Sequence, residues 1–218
     1  MATDPLAGSE LARVPLPDNV YGFGWAEIRY LLGRHSTDSS AMTLASLGFD
    51  AAPNDEVLVA AAAASLLARG LAAAEGDRAV SRGEAAVLET VFAGAKRWTG
   101  ISFRDGAEGD LMVVLEDGGI IAMLQPRSLG TWFVGLTDEV DQPAAVIARA
   151  IEAMHEVRGG AGRFGVETRT LEGTRGARFF APTPDGWSVS DTADGPARAL
   201  TDGGLAGELA PLLPQAVQ

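Results

Sequence analysis

Two histidines, four tryptophans and one glycine-rich run are the residues whose chemistry could be put to use in this chain. His35 is followed by Ser36 and Asp38, which supplies the letters of a hydrolytic triad. Neighbours in sequence rarely meet as a triad in space, however, and no nucleophile elbow accompanies them. His155 follows Met154 on a helical pattern and is expected at that helix's polar edge. With only these two imidazoles, a metal centre would need acidic co-ligands at a spacing the chain does not offer. Asp191, Asp194 and Asp202 lie across glycine turns without calcium-loop spacing. The run Gly159, Gly160, Ala161, Gly162 comes after a helix and before a strand, whereas a phosphate cradle needs strand, glycines, then helix. It reads as a hinge. Trp25, Trp98, Trp132 and Trp187 are expected as core or pocket anchors. The expectation is therefore a non-enzyme with no cofactor and no metal.

Composition narrows the partners. The 218 residues carry a net charge of −12, and the only lysine among the 17 basic residues is Lys96. That field repels nucleic acid and anionic membrane surfaces. Cysteine is absent, which removes disulfides and thiolate chemistry. The first residues hold acids and prolines where a signal peptide needs a basic start and an apolar stretch, so a cytoplasmic protein without membrane insertion is expected.

The elements that must position any site follow from periodicity. Residues 1–19 are expected as an extended arm and 20–218 as a single domain. Trp25, Ile28, Leu31 and Leu32 give one helical face that Gly33 can end, and a second apolar cluster spans 42–47. After Pro53 and Asn54, an amphipathic helix shows Leu58, Ala61, Ala62 and Leu66 and stops at Arg69 and Gly70. Ser81 and Glu84 match a capping box for the next helix, whose buried face is Val87, Leu88, Val91, Phe92 and Ala95. Strands are read at 98–104, 110–116, 119–125 and 129–137, with a tight turn at Asp117, Gly118 and Gly119. The apolar content of the middle strands is nearly continuous, so both faces of the sheet should be covered. Asp141 and Pro143 open another helix, presenting Val146, Ile147, Ala150, Ile151, Met154 and Val157. Shorter strands at 163–171, 177–181 and 186–191 and a last helix at 205–213 complete an α+β fold around an antiparallel meander.

The order from Leu66 to Val157 resembles the central part of the EspG family of type VII secretion chaperones. The shared features are an L-x-x-R-G-L helix end (Leu66 to Leu71), a helix leading into a strand, and the meander. The strands, Asp191-Thr192 step and leucine-rich helix that follow look similar too. The resemblance implies a central antiparallel sheet flanked by helical bundles, and a cytosolic chaperone that keeps a helical substrate of the PE/PPE class, a suspected heterodimer, soluble. On this reading the partner-binding candidates are Phe103, Trp132 and Val134 on strands and Ile151 and Met154 on a helix, because a sheet apolar towards both faces leaves a groove where its helical cover is incomplete. The polar loop 105–109, with Asp105, would adjust to the partner's rim. A toxin-neutralising immunity protein and a small-molecule binder with a dispersed site are the alternatives.

Overall fold

A computed structural model describes residues 19–49, 55–76, 78–106, 108–140, 142–158, 162–200 and 204–214. Residues 1–18 of the arm expected over 1–19, the Asp141 cap and most of the glycine hinge lie outside these residues. The elements in chain order are β1 (Val20–Gly24), α1 (Trp25–Leu32), α2 (Asp38–Ser46), α3 (Glu56–Ala68), β2 (Ala72–Glu75), β3 (Arg78–Ser81), α4 (Gly83–Gly94), β4 (Arg97–Asp105), β5 (Glu108–Glu116), β6 (Ile121–Pro126), β7 (Thr131–Thr137), α5 (Pro143–Arg158), β8 (Arg163–Thr170), β9 (Gly173–Thr183), β10 (Gly186–Ser190), β11 (Arg198–Ala199) and α6 (Gly204–Leu209).

Nine strands form one antiparallel sheet in the order β1-β7-β6-β5-β4-β8-β9-β10-β11, and β2 pairs with β3 in a separate hairpin. The fold is α+β, and the expected meander, β4 to β7, runs from the centre of the sheet to the strand beside its β1 edge. Short connections enforce this arrangement. Asp117 accepts hydrogen bonds from the amides of Gly119 and Ile120 and so closes the β5–β6 turn. Asp105 faces Glu108 across the β4–β5 turn, where Gly106 takes a φ of 56°.

Strand alternation sends successive residues to opposite faces, and here each face has its own core. On the first face Phe23, Trp98, Val113, Leu115, Leu124 and Val134 pack with Ile28, Leu31, Leu66, Leu88 and Phe92 of the helices α1, α3 and α4. On the second, Ile101, Phe103, Val114, Phe164, Val166 and Phe180 pack with Ile147, Ile151 and Met154 of α5 and Leu209 of α6. This double cover explains the near-continuous apolar middle strands.

Three expectations are corrected. Ser81 caps no helix: it pairs with Ala72 as the last residue of β3, and the next amide, Arg82, donates to the carbonyl of Leu71. The hairpin uses the backbone that the capping box required, and α4 starts after Arg82 without a side-chain cap. α3 is not amphipathic; only Ala62 and Leu66 are buried, and Ala61 is exposed. The last helix is shorter than 205–213, although Leu212 and Leu213 remain buried beyond its end.

Candidate functional site

The residues proposed from sequence do not share a surface. Phe103, Ile151 and Met154 lie in the second core. Trp132 and Val134 lie in the first, on the opposite side of the sheet. All five are buried, and only Asp105 is exposed.

Each histidine has defined neighbours. His35 Nε2 sits 2.9 Å from Glu89 Oε1, beside Arg34, whose Nε donates to the same oxygen at 2.7 Å. Burial works to raise the Glu89 carboxyl, but the surrounding Ser81, Arg34 and His35 outweigh it and leave its pKa below the ordinary glutamate value. A depressed carboxylate contributes stability that is present above its unfolded pKa and lost as pH falls through the folded one. Thermal melts should therefore show the wild type losing stability as pH falls through and below the ordinary glutamate range, with a flatter acid limb in Glu89→Gln. His155 is not on a polar edge: its ring meets Trp187 edge-on at 5.0 Å, within a cluster that includes Phe164 and Phe103.

Two further carboxylates organise the charged residues. Glu27 on α1 accepts from the Gly24 amide at 2.9 Å, from Ser65 at 2.7 Å and from Arg69 at 2.6 Å, fastening α3 to the β1–α1 corner. Asp110 accepts from Gln125 and Arg158, both at 2.9 Å, with Arg127 at 3.6 Å. Each of these carboxylates is engaged by cations or donors. Among the described residues no cluster of three or more His, Cys, Asp or Glu could hold a metal ion, and no helix is long and apolar enough to cross a membrane.

What the geometry does present is an unpartnered helix. α3, EVLVAAAAASLLA, is apolar all round, and such a helix normally belongs inside a protein. Here one side packs on α1 through Ala62 and Leu66, and the other faces outward. Val57, Val59 and Leu67 are three of the seven large apolar side chains exposed among the described residues, with Val57 at 76%. At 100° per residue Val57, Ala60, Ala64 and Leu67 fall on one outward stripe, with the alternating three- and four-residue spacing of a helix-packing seam. Beside it runs a groove of roughly 690 Å³ lined by Tyr30, Val59, Ala60, Ala63 and Ala79, with Arg34, Arg78, Glu56 and the His35–Glu89 pair also along it. The sequence carries the signal, a helix with no polar face, although its Leu58, Ala61, Ala62 and Leu66 spacing reads as amphipathic.

No protein-family model matches the chain, and no curated protein matches it.

Proposed function

We propose that this chain is a non-catalytic cytosolic chaperone or adaptor of the EspG type, which binds a helical type VII secretion substrate of the PE/PPE class and keeps it soluble. The observation that carries this reading is the outward stripe of α3. An amphipathic substrate helix would lay its apolar face along Val57, Ala60, Ala64 and Leu67, where alanines let the two backbones approach and the end residues interlock. The α+β architecture, with helices on both faces of an antiparallel sheet, agrees with what the resemblance implies. Neither His35 nor His155 carries a reaction, so replacing both with alanine leaves partner capture unchanged.

The test is coexpression with a helical-hairpin secretion substrate that is insoluble alone. The expected result is a soluble complex with the wild type and at least about a tenfold loss of capture in the folded Val57→Glu/Leu67→Glu variant, because two charges would be buried against an apolar helix. Retained capture by that variant would remove α3 from the site. A substrate that stays insoluble with the wild type would sink the chaperone reading itself.

A further inference from the structure

The first face of the sheet is only half covered. The helices α1 to α4 roof β1, β7, β6 and β5 and reach β4 at Trp98, whose indole donates to Thr43 of α2 at 2.8 Å. Beyond Trp98 lies a trough of roughly 320 Å³, walled by Ala45 and Ser46 of α2 on one side and Phe179 on the other. Its floor consists of very small residues. Gly100 and Ser102 of β4 face Glu167 and Gly165 of β8, and Gly165 faces Phe179 of β9. A Cβ built on Gly100 would meet nothing within 4 Å. Leu111, 39% exposed, and Val113 add an apolar strip.

The charge on this face runs against the charge of the molecule. Alternation places Arg104 beyond Ser102 on the same face of β4, and the register sets it directly opposite Arg163 of β8. Like charges directly opposed on a sheet are destabilising unless something anionic lies between them. Among the described residues Arg104 makes no hydrogen bond or ion pair, and Arg163 reaches only the carbonyl of Ala193 at 3.3 Å. At the other end Arg169 pairs with Glu167 at 2.5 Å. Three guanidinium groups thus stand against one carboxylate, in a chain of net charge −12. A second copy approaching by its own equivalent face would meet arginine with arginine.

We propose that this open half of the first face is a second docking surface, separate from α3, and that it seats an acidic amphipathic helix of a partner protein. The apolar side of that helix lies on Gly100, Leu111 and the Phe179 ring that covers Gly165, and its carboxylates reach Arg104, Arg163 and Arg169. The open space over Gly100 lets the helix axis come close to β4, and the arginine rim sets orientation and on-rate.

Calorimetry with two synthetic helices tests this, both with leucines on one face, one carrying glutamates and the other lysines on the opposite face. The glutamate helix should bind, more weakly as salt rises, and the lysine helix should not. Arg104→Glu/Arg169→Glu should weaken binding about tenfold or more, and Gly100→Phe, which has room for its ring, should abolish it. Val57→Glu/Leu67→Glu should bind as the wild type does, which separates this surface from the chaperone reading. The proposal is overturned if both peptides bind alike, if neither binds, if Gly100→Phe binds normally, or if a single-stranded oligonucleotide binds as tightly as the glutamate helix. A dimer of the free protein that Gly100→Phe dissociates would equally overturn it, in favour of a second copy.

Discussion

Arg97→Met and Glu116→Leu should each cost about 3 kcal/mol of stability, while the double variant should fold nearly as stably as the wild type. The two residues face each other at the start of β4 and the end of β5, with Arg97 Nε 3.1 Å from Glu116 Oε1 and both side chains about nine-tenths buried. Arg97 also donates to the carbonyl of Pro214 at 2.8 Å, tying the segment after α6 to the sheet. Burial raises the Glu116 pKa, and the attraction of Arg97 only partly offsets it. Removing one partner leaves a desolvated charge without compensation; removing both leaves an apolar contact of similar size. Because the folded pKa is raised, the ionised carboxylate weakens the fold as pH climbs from the unfolded towards the folded value. Glu116→Gln should therefore gain on the wild type with rising pH, opposite in sign to the Glu89 effect. Urea titrations of the four proteins form the cycle, and a double variant as unstable as the sum of the singles would refute the account.

Much of the scaffold was readable because local signals and tertiary structure agree there. Gly33 ends α1, and Gly70 follows the Arg69 C-cap of α3 with the positive φ of 72° expected of a helix stop. The Asp117 turn and the unbroken apolar runs of β5 and β6 report a sheet covered on both sides. The β2–β3 hairpin was not readable. Ala72, Ala73, Ala74 and Glu75 are residues depleted from strands, and their pairing with Ser81, Val80, Ala79 and Arg78 overrides that preference. The same hairpin defeats the Ser81 capping box. β1 carries two glycines and pairs with β7 across more than a hundred residues, a contact that no local pattern encodes.

The candidate site was harder to read than the fold, for a physical reason. Large apolar side chains on strands look the same in sequence whether they meet a partner or the protein's own helices, and Phe103, Trp132, Val134, Ile151 and Met154 all meet the helices. α3 carried a different message. Thirteen residues without a polar stripe cannot bury every side against one neighbour, so some apolar surface had to remain outside. The open half of the sheet was hidden for the opposite reason. Its floor is made of Gly100, Ser102 and Gly165, residues whose small size gives no periodic signal, and Arg104 and Arg163 meet only through the β4–β8 register.

Trp98→Ala should be the most damaging single core substitution, lowering stability by about 4 kcal/mol and the melting temperature by roughly 10 °C. The indole is 2% exposed, lies at the junction of the roofed and open halves of the first face, and packs with the Leu115 side of β5. Its Nε1 donates to Thr43 Oγ1 at 2.8 Å, and Thr43 is fully buried. Truncation therefore combines a large void with a buried hydroxyl that has lost its donor. Two companion variants separate these contributions. Trp98→Phe keeps most of the volume but not the N–H, and should cost about 1–2 kcal/mol. Thr43→Val removes the acceptor and leaves the indole N–H unpaired, with a cost of similar size. Since α2 meets the sheet through this bond and supplies one wall of the trough, Trp98→Ala should also weaken binding of the glutamate helix, whereas Thr43→Val should weaken it less. Equal stability of Trp98→Ala and Trp98→Phe in urea would show that packing at this junction matters less than its hydrogen bond.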